Sequence, residues 1–129
     1  MIVVDTSVWI EVSRRRSETA RRALDSLLDA DEVALALPVR LELLAGVSRM
    51  DRQALRGGLS GLPVVVPGEE TWTLISGWIA GFADKGHRFA LSDLVIAALA
   101  HEIGALVWSL DADFDRLEQL GVVRRYDAA

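Results

Sequence analysis

A chain of 129 residues bounds a single domain, spanning 1–129, with room for one buried core and none for a second. With 51% hydrophobic and 26% charged residues it reads as a packed globular protein and not a disordered one, and its longest apolar run, Leu94 to Ala100, falls well short of the roughly 18 residues of a membrane helix. The net charge of -5 argues against holding nucleic acid by bulk attraction, and the absence of cysteine removes disulfides and thiolate metal sites, which suits a cytoplasmic protein. No basic-then-apolar leader opens the chain, so no export signal is expected.

Residues 2–4 (IVV) predict a strand that is apolar on both faces and runs straight into Asp5, where Thr6 and Ser7 supply capping groups for a following helix. Residues 17–30 begin with a Ser cap and place Ala20, Leu24, Leu27 and Leu28 on one helical face. VALAL (33–37) predicts the second strand, and PVRLELLAG (38–46) a helix with Pro38 in its first turn and Gly46 as its stop. A short helix over 51–59 leads into a loop marked by Gly57, Gly58 and Gly61, and LPVVV (62–66) predicts the third strand. Residues 68–86 form a helix with Trp72, Ile75, Ile79 and Phe82 at helical spacing; core packing accounts for that stripe better than a partner surface does. Residues 92–104 are apolar almost all round, which predicts a central buried helix, followed by a strand in ALVW (105–108). A helix over 111–121 and a fifth strand in VVRRY (122–126) close the series.

Strands apolar on both faces, alternating with helices, define an α/β fold: a central parallel sheet of about five strands with helices on both faces. Ligand sites of such sheets form beyond the carboxyl ends of the strands. Asp5 ends the first strand there, Glu42 lies in the second turn of the helix after the second, Asp93 opens the central helix, and Asp111 and Asp113 follow the fourth strand. Singly, each has an ordinary explanation as a helix cap, a dipole partner or a plain helix residue. Four separate elements each delivering an acid to one edge is what favours a site.

Two carboxylates about 4 Å apart repel by roughly 4 kcal/mol at an effective dielectric near 20. Several such pairs would threaten a domain whose whole stability is about 5–15 kcal/mol. Arg40 and Arg116 are the only basic residues inside these stretches, too few to pair every acid. A hard divalent cation is the natural counter-charge, and Mg²⁺ or Mn²⁺ suits carboxylate oxygens better than zinc does. An ion held this way in an open cleft activates water and stabilises charge on a phosphate.

DTS after the first strand, PVRLELLAG, LSDLVIAALA and SLDADFDRL, in this order and spacing, closely resemble the PIN-domain ribonucleases over essentially the whole chain. The compact length and the start at Met1 look, more narrowly, like a VapC-type toxin of a bacterial toxin–antitoxin pair. The resemblance implies Mg²⁺- or Mn²⁺-dependent endonucleolytic cleavage of RNA by Asp5, Glu42, Asp93 and Asp111. Asp113 matches an additional acid of many members, and Thr6 and Ser109 match small hydroxyl positions beside the site. Asp5, Asp93 and Asp111 are the implied direct metal ligands, with Glu42 and Asp113 orienting water or completing a second metal position. The family varies in which acid after the fourth strand binds metal, so Asp111 and Asp113 both stay as candidates. It further implies a homodimer inhibited by a VapB-type antitoxin whose tail lies across the catalytic groove, with no membrane involvement.

Basic residues come in small groups: Arg14, Arg15 and Arg16; Arg21 and Arg22; Arg49, Arg52 and Arg56; Lys85, His87 and Arg88. Each is a candidate for phosphate contact, although a solvated face is the simpler reading of any one group. His87 and His101 lack a partner spacing for zinc. A haloacid-dehalogenase-like phosphatase would need a second acid two residues after Asp5, where Ser7 stands; a receiver domain would need a lysine after a late strand. A catalytically silent α/β binding module remains the alternative from outside the enzymes.

Overall fold

In a computed structural model, which describes residues 1–128, the chain folds as β1 (Ile2–Val4), α1 (Thr6–Ser13), α2 (Glu18–Asp29), β2 (Val33–Ala36), α3 (Leu37–Gly46), α4 (Arg49–Leu59), β3 (Val64–Val65), α5 (Glu69–Asp84), α6 (Leu91–Ile103), β4 (Leu106–Trp108) and α7 (Asp113–Gln119). The strands form one parallel sheet in the order β3-β2-β1-β4. Val3 pairs with Ala34 on one side and Val107 on the other, so β1 lies in the interior of the sheet.

Alternation along β1 sorts the core into two layers. Ile2 and Val4 face Val8 of α1 and Ala20, Leu24 and Leu27 of α2, while Val3 faces the layer that holds α6 together with Ile75 and Phe82 of α5. Every residue from Leu94 to Ala100 is buried, because α6 packs against the sheet on one side and helices on the other. That is why its sequence carries no polar stripe.

Among the described residues, four strands form where about five are expected. The segment 122–126 contributes a single bridge, Val107 to Arg125, through Val107 N donating to Arg124 O and Tyr126 N donating to Val107 O. In a bridge built on the Arg124 carbonyl and the Tyr126 amide, the Arg125 amide faces away from β4, and the Glu118 carboxylate takes it up at 2.7 Å. The aromatic stripe of α5 divides: Ile75 and Phe82 are in the core, whereas Trp72 and Ile79 stand about half exposed and Trp78 packs inward in their place. Neither Thr6 nor Ser7 caps α1; Asp5 occupies the N-cap position, with no side-chain cap bond. Among the described residues, no helix is long and apolar enough to cross a membrane.

Candidate active site

At the end of β1 the Asp5 amide donates to Trp108 O (2.8 Å), and this bond fixes Asp5 beside the loop that leaves β4. The side chain is 6% exposed, and two hydroxyls compensate its burial: Ser7 Oγ and Ser109 Oγ each donate to Asp5 Oδ2 at 2.8 Å. The same hydroxyls order the loop that follows. Ser7 Oγ accepts from the Leu110 amide and Ser109 Oγ from the Asp111 amide, both at 3.0 Å. Both serine bonds to Asp5 fall on Oδ2; among the described residues Asp5 Oδ1 takes no hydrogen bond.

Asp111 Oδ1 accepts from the Asp113 amide (2.9 Å), a local turn that brings the two acids to one side of the chain before α7 begins. Asp113 Oδ1 accepts from Arg116 Nη2 at 2.8 Å. Arg116 is held in turn over the Phe89 ring, 4.2 Å from its centre, and donates to Arg88 O. One arginine therefore offsets part of the acidic charge, as the scarcity of bases in these stretches foretells.

Asp93 lies in the first turn of α6. Together with Asp111 and Asp113 it forms a group whose carboxylate oxygens come within 4.8 Å of one another. Asp5 and Glu42 lie outside this tight group yet close enough to act on it. Burial first, then the charges of Asp111, Asp5, Asp113 and Glu42 in that order, push the Asp93 carboxyl up to about 7. All five acids read from the sequence thus act on one locus. The donor set is entirely oxygen, without His or Cys, and carries more negative charge than Arg116 offsets; it fits a hard divalent cation.

Glu42 is exposed on α3 and lines a cavity of about 330 Å³ with Trp9, Ile10, Arg14, Leu43 and Leu55. Thr6 contributes no side-chain bond: its Oγ1 is buried and has no partner among the described residues. Ser109, by contrast, is 1% exposed and links Asp5 to the Asp111 loop.

Two participants escape a reading of the sequence. Ser7, expected as a cap, is a hub between Asp5 and Leu110; its position two residues after a strand-end acid is the available signal. Arg125 reaches back from the C-terminal segment, donating to Ser109 O at 2.6 Å and pairing with Asp115, so it braces both ends of the acid-bearing loop. Nothing in VVRRY marks it for that role.

A family model described as "PIN domain" matches residues 2–120. Over 119 residues the chain is 40% identical to the Mycobacterium tuberculosis protein named Ribonuclease VapC18, covering 88% of this chain and 85% of that protein. Among solved structures, VapBC2 from Rickettsia felis, bound to a DNA fragment from its promoter, superposes with a TM-score of 0.80 at 18% identity over 98% of this chain and 100% of that one. VapBC-5 from M. tuberculosis, a member of the VapBC family of toxin–antitoxin systems, gives 0.68 at 24% identity over 96% and 97%. At such identities the two structures speak for the fold.

Proposed function

The chain belongs to the PIN-domain family and, with it, to the VapC ribonucleases, and from that membership we propose that it is a divalent-metal-dependent endoribonuclease, the toxin of a toxin–antitoxin pair. The observation that carries the reading is the locus where Asp93, Asp111 and Asp113 converge under the influence of Asp5 and Glu42. Asp93, Asp111 and Asp113, with Asp5 offering the oxygen its serines leave free, would hold Mg²⁺ or Mn²⁺. When bound, the ion supplies a Lewis acid for phosphate oxygens and lowers the pKa of water.

The protein's own groups do the rest. Ser7 and Ser109 hold the Asp5 side chain in place by donating to one of its oxygens. Arg116 restrains Asp113, and Arg125 holds the Ser109 carbonyl, so the loop bearing two acids is braced before any ligand arrives. Glu42, exposed at the mouth of its cavity, is the carboxylate available to accept a proton from the attacking water. The apolar lining of that cavity, with Trp9, Ile10, Leu43 and Leu55, supports a second part of the reading, in which a segment of a VapB-type antitoxin covers it in a homodimeric toxin.

The test is cleavage of structured RNA by purified protein. Activity should require Mg²⁺ or Mn²⁺, stop in EDTA, and vanish in Asp93→Asn with an unchanged circular dichroism spectrum. Full cleavage in excess EDTA would remove the metal from the mechanism.

A further inference from the structure

Most arginines near acids are already engaged. Arg21 and Arg22 pair with Glu18 and Asp25 along α2, Arg116 with Asp113, and Arg125 with Asp115. α4 differs. Arg49, Arg52 and Arg56 recur at i, i+3 and i+7, which puts them on one helical face, and with Gln53 they line one open cleft of about 430 Å³. Among the described residues no carboxylate pairs with any of the three; the nearest in sequence, Asp51, is held by the Ser48 hydroxyl at 2.9 Å. Three like charges facing one concavity repel one another, and an anion in the cleft relieves that.

The stripe also has a place relative to the acids. Leu55 and Leu59 form the inward line of α4, and Leu55 lines the cavity that contains Glu42. The arginines lie roughly a quarter-turn round the helix from that line. Arg14 lines the Glu42 cavity itself, so that cavity carries a cation of its own. From Arg49 to Arg56 the helix rises about 10 Å. A stacked strand presents a phosphate every ~3.4 Å along its axis, so the stripe matches about three of them. In a chain of net charge -5, bulk attraction cannot recruit a polyanion, and a local rail is what would do so.

We propose that the α4 arginine face, Arg49, Arg52 and Arg56, is a phosphate rail that seats single-stranded RNA and directs it toward the Glu42 cavity. This deepens the ribonuclease reading and rests on it for the identity of the polyanion.

The experiment measures binding of a labelled single-stranded RNA to the full chain by fluorescence anisotropy, in EDTA so that no cleavage occurs, over a series of salt concentrations. Three phosphate contacts contribute about 0.7 each to the slope of log K against log salt, so the Arg49→Gln/Arg52→Gln/Arg56→Gln variant should lose about 2 from that slope. The corresponding triple Lys variant should keep it, since an ammonium also binds phosphate as a point charge. Arg21→Gln/Arg22→Gln, which removes charges already paired, should leave it unchanged. An unaltered slope in the triple Gln variant, with its melting temperature retained, overturns the rail. So does a triple Gln variant that loses affinity for an acidic peptide while its RNA slope stays put, because the face would then serve a protein partner. If the rail behaves as described but the parent does not cut RNA with Mg²⁺, the ribonuclease reading fails and the RNA-binding face stands. If the parent cuts RNA and the slopes agree, the reverse holds.

Discussion

Asp93→Asn separates the electrostatics of the acidic locus from its packing. In the metal-free protein, Asp93 carries a carboxyl raised from 3.8 to about 7 by burial and by four neighbouring carboxylates. The folded state therefore binds a proton more tightly than the unfolded state does. Its contribution is fully present below the unfolded value and is lost as pH rises toward the folded one, so stability falls between about pH 4 and pH 7. At ~1.36 kcal/mol per pH unit the climb caps the loss at about 4 kcal/mol. Asp93 is only half buried, and solvent screening brings that to on the order of 1–2 kcal/mol. Asparagine keeps the side-chain volume and removes the titration. In EDTA at pH 8 the variant should melt above the parent by roughly 3–10 °C, since each kcal/mol moves the midpoint of a domain this size by about 3–5 °C. At pH 5 the parent carboxyl is already protonated and the two curves should draw together. Saturating Mg²⁺ at pH 8 should narrow or reverse the gap, because only the parent has the full ligand set to bind it. Melting curves at the two pH values, with and without Mg²⁺, measure all of this. A difference between the proteins that is the same at pH 5 and pH 8 in EDTA would refute the argument.

Ser109→Ala deletes a buried hydroxyl that donates to Asp5 and accepts from the Asp111 amide, and should lower the unfolding free energy by about 1–3 kcal/mol in urea titrations while raising the Mn²⁺ concentration needed for activity. Arg125→Ala releases the Ser109 carbonyl and Asp115, and should weaken Mn²⁺ binding measured by calorimetry more than it lowers the melting temperature; the opposite ordering would make Arg125 a plain stabiliser of the C-terminal segment.

Asp5 illustrates what the sequence makes legible. Three apolar residues ahead of a carboxylate say that a strand buried on both faces ends at the carboxyl edge of the sheet, and Asp5 is found there, buried and fixed by two serines. The central helix is equally plain from its unbroken apolar composition. What hides from sequence is whatever depends on a distant partner. VVRRY has the composition of a strand, yet among the described residues it pairs with β4 through one bridge alone. α1 is implied only as something to be capped: Val8, Trp9, Ile10 and Val12 crowd too closely to show a helical period. Trp72 and Ile79 share a spacing with Ile75 and Phe82 but fall outside the face that the sheet layer covers. The cap assigned to Ser7 proves to be a contact with Asp5 and with the Leu110 amide; its place two residues after Asp5 hints at the first, and no local pattern encodes the second, about a hundred positions away.

The connectivity explains why acids so far apart meet. β1 lies between β2 and β4 in a parallel sheet, so the chain leaves all three strands at the same edge, carrying Asp5, the α3 residue Glu42, and the Asp111–Asp113 loop. α6 must run back against β4 to enter it, and Gly104, at φ 67, makes the reversal in a left-handed cap that other residues adopt with strain. That antiparallel course brings the start of α6, and with it Asp93, to the edge where β4 ends. The helix dipole there favours a negative charge by only about 0.3–1 kcal/mol. Burial and four carboxylates act in the other direction and prevail, since the Asp93 carboxyl is raised to about 7 and not lowered. A site whose own backbone field is outweighed by its side chains is poised for an added positive charge, and the fold concentrates that demand at one edge of the sheet.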